Sequence, residues 1–278
     1  YKFKEMMCAP CVNDGGLSIG MGLYFFKKFM DSFIYKFEGA FYGYDDRKNF
    51  ADTVDIYRDY ISDVSENVKK ISDDILKSPI LWLDGNAEIG PRALGHRSII
   101  ADARNKDHKD LLNIYKQREW WRPVAPIVLA EDIGDWFEDS YLSPYMLHNF
   151  TVKAEKAEII PAVLHFDLTA RVQSLKREDN ESLYNVIREI KEKTNVPIVC
   201  NTSMNDKGEP IINTLAEAIN FALRKKIGII YAYGHRIVLK NHDLYTEMKW
   251  LKRNDWPFVN HRRDRESVMK KYNPFRLP

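Results

Sequence analysis

Val196-Pro197-Ile198-Val199-Cys200-Asn201-Thr202-Ser203 is an apolar run that ends in amide and hydroxyl groups. Val196 to Val199 reads as a buried strand leading straight into Asn201-Thr202-Ser203. Upstream, Ser182 to Lys193 places Leu183, Val186, Ile187 and Ile190 at helical spacing, an amphipathic helix with those four inward. Downstream, Thr214 to Arg224 opens with Thr214 and has Glu217 three residues later, the pattern of a capping box. Ile227 to Tyr231 and Arg236 to Leu239 read as further strands. Strands alternating with helices indicate an α/β domain.

The same alternation extends towards the N-terminus. Ile80 to Gly85 reads as a strand running into a turn, residues 107 to 118 as a helix carrying Leu111, Leu112 and Tyr115 on one face, and Ala125 to Leu129 as a strand. Phe150 to Val152 and Val163 to Phe166 are short strand candidates. Residues 131 to 150, aromatic and acidic, read as a surface helix and loop. Residues 45 to 78 read as a charged linker and helix that Pro79 stops. Leu17 to Met30 is a helix-forming apolar stretch behind the glycine turn Asn13-Asp14-Gly15-Gly16. Residues from Asn241 onward are basic and aromatic without a clear period.

Composition narrows the function. The 278 residues are 45% hydrophobic and 29% charged, with a formal net charge of +2. That balance argues against a nucleic-acid coat, which needs a clear basic excess. Three cysteines, Cys8, Cys11 and Cys200, make no secreted disulfide framework. No apolar run reaches the roughly 18 residues of a membrane span. There is no initiator Met and no signal peptide, so the chain reads as starting mid-stream, as a fragment does.

Four stretches concentrate the chemistry: Gly90 to Ser98, Lys116 to Pro123, Thr169 to Gln173 and Asn201 to Pro210. They set Arg92, Arg97, Lys116, Arg118, Arg122, Arg171, Ser203 and Asn205 on turns beside glycine or proline. Guanidinium forks fit phosphate oxygens two at a time and lysine adds a compact charge, so the group suits a substrate with several phosphates. Arg92 and Arg122, fixed next to Pro91 and Pro123, read as functional. Arg97 and Arg118 could equally pair with Glu88 and Glu119. Arg104, Arg177 and Arg188 read as surface ion pairs, His96 as a core histidine, and Trp120 and Trp121 as packing or rim.

These four motifs, in this order, resemble the O-carbamoyltransferase family of nodulation and antibiotic-tailoring enzymes. The resemblance covers about residues 5 to 240. It implies an α/β, YrdC-like twisted mixed sheet with flanking helices over residues 79–240. Residues 1–78 would be the C-terminal remnant of an actin-like ATPase-fold domain plus linker, and residues 241–278 an extension. It implies ATP, Mg2+ and carbamoyl phosphate as reactants, a carbamoyl-adenylate intermediate and a hydroxyl acceptor. The implied catalytic residues are Lys116, Arg122 and Arg171, with Arg92, Arg97, Arg118, His165, Ser203 and Asn205 binding the nucleotide or adenylate. Asp14 matches the family's Asp-x-Gly turn, a ligand of a divalent metal such as Fe2+ whose histidines lie before this chain. Two departures stand out: Leu168 occupies a position where glycine is usual, and Met204 replaces a Phe. The resemblance also implies a cytoplasmic enzyme, with a homo-oligomer left open. A YrdC-like module that binds nucleotide or RNA without complete catalysis is the other reading.

Overall fold

The computed structural model describes residues 9 to 245 apart from Asn13 and Asn67, and the side chains of Asp14 and Val68 also lie outside the described residues. The strands are β1 Ile61–Ser65, β2 Ile80–Leu83, β3 Arg97–Asp102, β4 Ala125–Leu129, β5 Asn149–Thr151, β6 Thr169–Arg171, β7 Gln173–Leu175, β8 Ile198–Ser203, β9 Ile229–Ala232 and β10 His235–Leu239. The helices are α1 Leu17–Phe29, α2 Phe50–Ile56, α3 Ile71–Lys77, α4 Lys106–Tyr115, α5 Ile133–Trp136, α6 Ala154–Ala157, α7 Glu181–Thr194 and α8 Leu215–Lys225.

Eight strands form one mixed sheet in the order β1-β10-β9-β2-β3-β8-β4-β7, and β5 pairs with β6 separately. Only β2/β9 and β4/β7 are parallel pairs within the large sheet. The fold is thus mixed α/β, as the alternation indicated. β2, β3 and β4 are buried along their whole lengths, because helices cover both faces. On one face Leu81, Ile99 and Cys200 pack against Leu112 of α4 and Leu215, Ile219 and Leu223 of α8. On the other, Ile80, Trp82, Ile100 and Val199 pack against Ile71 and Ile75 of α3 and Leu183, Ile187 and Ile190 of α7. The four inward residues expected of α7 are all buried.

The helix ends follow local chemistry. Thr214 accepts from the Glu217 backbone N–H while the Glu217 carboxylate accepts from the Thr214 N–H, so the capping box forms as expected. Asn105 and Asn180 cap α4 and α7 through their side-chain oxygens.

Several expectations need correction. The boundary at 78/79 does not separate two bodies. β1 pairs with β10 from Ile61↔Leu239 to Ser65↔Arg236, and α3 packs beneath the sheet, so both elements belong to it. The charge density of residues 45–78 hid β1 because an edge strand exposes much of its length to water. Residues 131–150 are not all surface: Trp136 and Phe137 are buried in the core. Val163 to Phe166 forms no strand; Pro161–Val163 is a turn of 3-10 helix. β3 lay unrecognised inside the arginine-rich motif, since Arg97 and Ser98 disguise its apolar centre. Leu17 to Met30 is a helix as expected, and α1 buries none of its residues. The segment expected to be an extension, 241–278, lies outside the described residues from 246 onward.

Candidate anion-binding site

The end of β8 delivers Ser203, and the turn behind it delivers Asn205. α4 ends at Tyr115, so Lys116 points across to that turn. Its ammonium donates to the carbonyls of Ser203 and Asn205, both at 2.6 Å, to Ser203 Oγ at 3.1 Å and to Asn205 Oδ1. Ser203 Oγ in turn donates to Asn205 Oδ1 at 2.6 Å. Two motifs 87 residues apart therefore meet as one cluster, as the sequence reading expected. Lys116 is only 4% exposed. Burial, reinforced by the charge of Arg118, pushes its pKa down to about 7.

Around this cluster the cations outnumber their partners. Arg171, at the end of β6, has a buried Nε with no acceptor among the described residues. Burial, with Arg92 and then Arg118 as its repelling neighbours, brings its pKa down to about 10. Arg118 reaches only Thr202 Oγ1, at 3.4 Å, and its Nε is likewise buried and unpartnered among the described residues. Burial and the Arg122 charge lower its pKa. Arg92 stands half-buried on the Gly90-Pro91 turn. His165 sits beside Arg171, its Nδ1 3.0 Å from Thr169 Oγ1; burial, then the Arg171 and Lys109 charges, lower its pKa. A cleft of about 470 Å3 runs alongside, lined by Gly90, Pro91, Ser203, Asn205, Glu209 and Pro210.

Two expected site residues behave differently. Arg97 is fully buried, and its five N–H groups go to five backbone carbonyls: Asn213, Asp84, His96, Tyr44 and Gly85, at 2.7–3.1 Å. A guanidinium has five donors, so none is left for a phosphate. Arg97 is corrected to a structural clamp. Neither alternative partner was right: Glu88 binds the backbone N–H of Arg97 at 3.0 Å, not its guanidinium. Arg122 is exposed and paired with Glu119 at 2.8 Å, at the rim of the cluster. Asp14, the expected metal ligand, has its side chain outside the described residues. Among the described residues no three His, Cys, Asp or Glu side chains converge as metal ligands. The described residues do not build a metal centre.

The readings of Arg104, Arg177, Arg188 and His96 hold. Arg104 forks Asp102, Arg177 faces Glu181 and Arg188 faces Glu192. His96 is buried, bonded to the Asn86 carbonyl at 2.7 Å and stacked on Phe41 at 3.6 Å. Trp120 and Trp121 are rim residues, 69% and 48% exposed. Met204 is fully buried, keeping the apolar volume expected of it. Leu168 adopts φ +62°, the left-handed backbone that glycine prefers.

The supporting residues were not legible in the sequence. Asn113 Nδ2 donates to the carbonyls of Trp120 and Arg122 at 3.2 and 2.9 Å, and its backbone carbonyl takes the Arg118 N–H. That pins the whole Lys116–Arg122 segment. Glu88 Oε1 accepts from the N–H groups of Leu94, His96 and Arg97, at 2.7, 2.8 and 3.0 Å, and shapes the Arg92 loop. Gly95, at φ +100°, completes that loop; a Cβ there would lie 2.7 Å from Leu183 Cδ2.

Residues 73–240 match the family described as the carbamoyltransferase C-terminus. The chain belongs to the carbamoyltransferase family. Among curated relatives, nodulation protein NolNO of Sinorhizobium fredii is 44% identical over 142 residues, covering 50% of this chain and 21% of the relative. The 3'-hydroxymethylcephem-O-carbamoyltransferase of Streptomyces clavuligerus is 29% identical over 231 residues, covering 81% of this chain and 42% of the relative. An uncharacterised protein of Synechocystis is 31% identical over 259 residues, at the same two shares. The chain thus spans less than half the length of these relatives. No helix among the described residues is long and apolar enough to cross a membrane.

Proposed function

We propose that this chain is the adenylate-forming part of an ATP-dependent O-carbamoyltransferase. In this reading water releases inorganic phosphate from carbamoyl phosphate, and an oxygen of the carbamate so formed attacks the α-phosphorus of ATP. Pyrophosphate leaves, and an acceptor hydroxyl then attacks the carbamoyl carbon of carbamoyl-AMP, with AMP as the leaving group. The observation that supports it is the Arg171 guanidinium: buried at Nε, unpartnered among the described residues and flanked by Arg92 and Arg118. Cations packed against one another without carboxylates between them are costly unless an anion joins them. Phosphoryl transfer asks a protein mainly for positioning and preformed positive charge.

Each residue then has a task. Arg171, Arg92 and Arg118 take phosphate oxygens. Lys116 fixes the Ser203–Asn205 turn and lends its charge; an incoming phosphate oxygen can replace Asn205 Oδ1 as one of its acceptors. Ser203 Oγ and the Asn205 amide orient the carbamoyl group from the cleft wall. His165, held neutral beside Arg171, contributes a hydrogen bond rather than a charge. Magnesium would arrive with the ATP phosphates, which together with water would leave few ligands for the protein to supply.

The finer architecture is part of the same proposal. The sheet that carries the site is the YrdC-like unit, with β1 and α3 included in it. The segment through α1 is the end of an actin-like transfer domain, and transfer to the acceptor depends on a metal site outside the residues described. The test is ATP–pyrophosphate exchange dependent on carbamoyl phosphate, with Arg171→Ala as the diagnostic variant. ATP binding without such exchange would support the binding-module reading instead.

A further inference from the structure

The turn that carries Asn205 is tied to α8 by a buried carboxylate. Asp206 is 7% exposed. Its Oδ1 lies 2.6 Å from the Lys225 ammonium, and its Oδ2 takes the Arg224 guanidinium. Both cations stand in the last turn of α8, where the helix dipole favours positive charge. Arg224 is itself held by Asn220 Oδ1 at 2.8 Å. The Asp206 backbone closes the turn: its carbonyl accepts from Asn205 Nδ2 at 3.1 Å and from the Glu209 N–H at 3.2 Å.

Lys116 depends on where this turn sits. Two of its acceptors are the backbone carbonyls of Ser203 and Asn205, each at 2.6 Å. A displaced turn would leave a buried ammonium short of partners, which is costly. Asp206 matters through its charge as well. Charged groups face Lys116 from three sides: Arg118 on its own segment, Asp206 and Glu209 on the turn, and Lys225 on α8. Burial, then Arg118 and Lys225, disfavour the charged ammonium, and Asp206 and Glu209 favour it. An apolar anchor would hold the turn more cheaply than a buried ion pair does. A carboxylate adds what an apolar anchor lacks: it offsets the Lys225 charge at Lys116.

We propose that Asp206 is a positioning residue of the anion site: it ties the Ser203–Asn205 turn to α8 and, by screening Lys116 from Lys225, keeps that ammonium charged for an incoming phosphate. Its carboxylate is engaged by α8, so it acts through Lys116 and not on the phosphate itself. The assignment rests on the reading of this cluster as the adenylate site.

The test follows Lys116 by NMR in the full chain with carbon-labelled lysines, its signal assigned by its absence from Lys116→Arg. In the wild-type chain it should titrate at about pH 7. Asp206→Asn should move that midpoint down. Lys225→Met, which removes a repelling charge and leaves an apolar chain of similar length, should move it up, each shift being roughly half a pH unit or more. A merely structural anchor would not give opposite shifts, because its loss would loosen the turn in both variants alike. ATP affinity, measured by calorimetry across the same pH range, should follow the midpoint in each variant. A midpoint unmoved in Asp206→Asn, or moved the same way by both substitutions, overturns the proposal. If Asp206→Asn fails to fold, the absence of a rise in Lys225→Met overturns it alone. Opposite shifts in a chain that binds no ATP would leave Asp206 its role at Lys116 and sink the adenylate reading instead.

Discussion

Asn201 Nδ2 donates to Gln173 Oε1 at 3.0 Å, a bond that spans β4 to join β8 with β7. Both side chains are almost fully buried. Each also holds the Arg92 loop: Asn201 through the Ala93 carbonyl at 2.9 Å, Gln173 through the Leu94 carbonyl at 2.8 Å. Two strands thus fix the loop that sets Arg92 beside Arg171. Gln173→Ala should cost about 1–3 kcal/mol of stability, the penalty for buried groups left unpaired. It should also weaken ATP binding without removing any group that touches ATP. Urea unfolding and calorimetry measure the two effects.

Arg97 gives the sharpest contrast between a clamp and a ligand. Arg97→Met takes the guanidinium from five carbonyls, of which those of Tyr44 and His96 keep backbone N–H partners, and should destabilise the fold by at least about 3 kcal/mol. Arg171→Ala removes a guanidinium that has no partner to lose among the described residues. It should leave the unfolding midpoint nearly unchanged and weaken ATP binding by about 1.5–3 kcal/mol, the range of a charge-assisted hydrogen bond. Equal destabilisation by both substitutions would contradict the assignment.

Much of this was legible in the sequence, and the limits were physical. The four motifs are local, and their turn residues announce them. α7 and α8 declare themselves by period and by cap. β1 was missed because an exposed edge strand looks like a charged linker. Arg97 was misjudged because a sequence does not show five backbone carbonyls converging from residues 44 to 213. Asn113, Gln173 and Asn201 act through tertiary contacts, which no local pattern encodes.

Leu168 was marked as unusual from the sequence, and its φ of +62° gives the reason. A side chain in that conformation costs about 1–2 kcal/mol relative to an ordinary backbone, and glycine escapes most of it. Leu168 is 48% exposed, so little packing is lost with it. Leu168→Gly should therefore raise stability by up to about 1 kcal/mol, read as an increase in the thermal midpoint.

Lys116 should make anion binding depend on pH near neutrality. Burial lowers its folded pKa to about 7, whereas an unfolded lysine keeps about 10.4. Between those values the unfolded chain binds more protons, so this group makes the fold more stable as pH rises through that window. The same loss of charge weakens the site, and ATP affinity should fall as pH rises from about 6 to about 8. In Lys116→Arg the charge persists at every such pH, and that fall should disappear. Titrations at matched ionic strength compare the two chains.

On the proposed reading these cations build a carbamoyl-adenylate. Its most direct measurement is exchange of labelled pyrophosphate into ATP by the purified chain, with and without carbamoyl phosphate. Exchange should appear only when carbamoyl phosphate is present, and should fall at least about tenfold in Arg171→Ala through the loss of one charge-assisted contact. Exchange that ignores carbamoyl phosphate, or that survives Arg171→Ala at full rate, would contradict it.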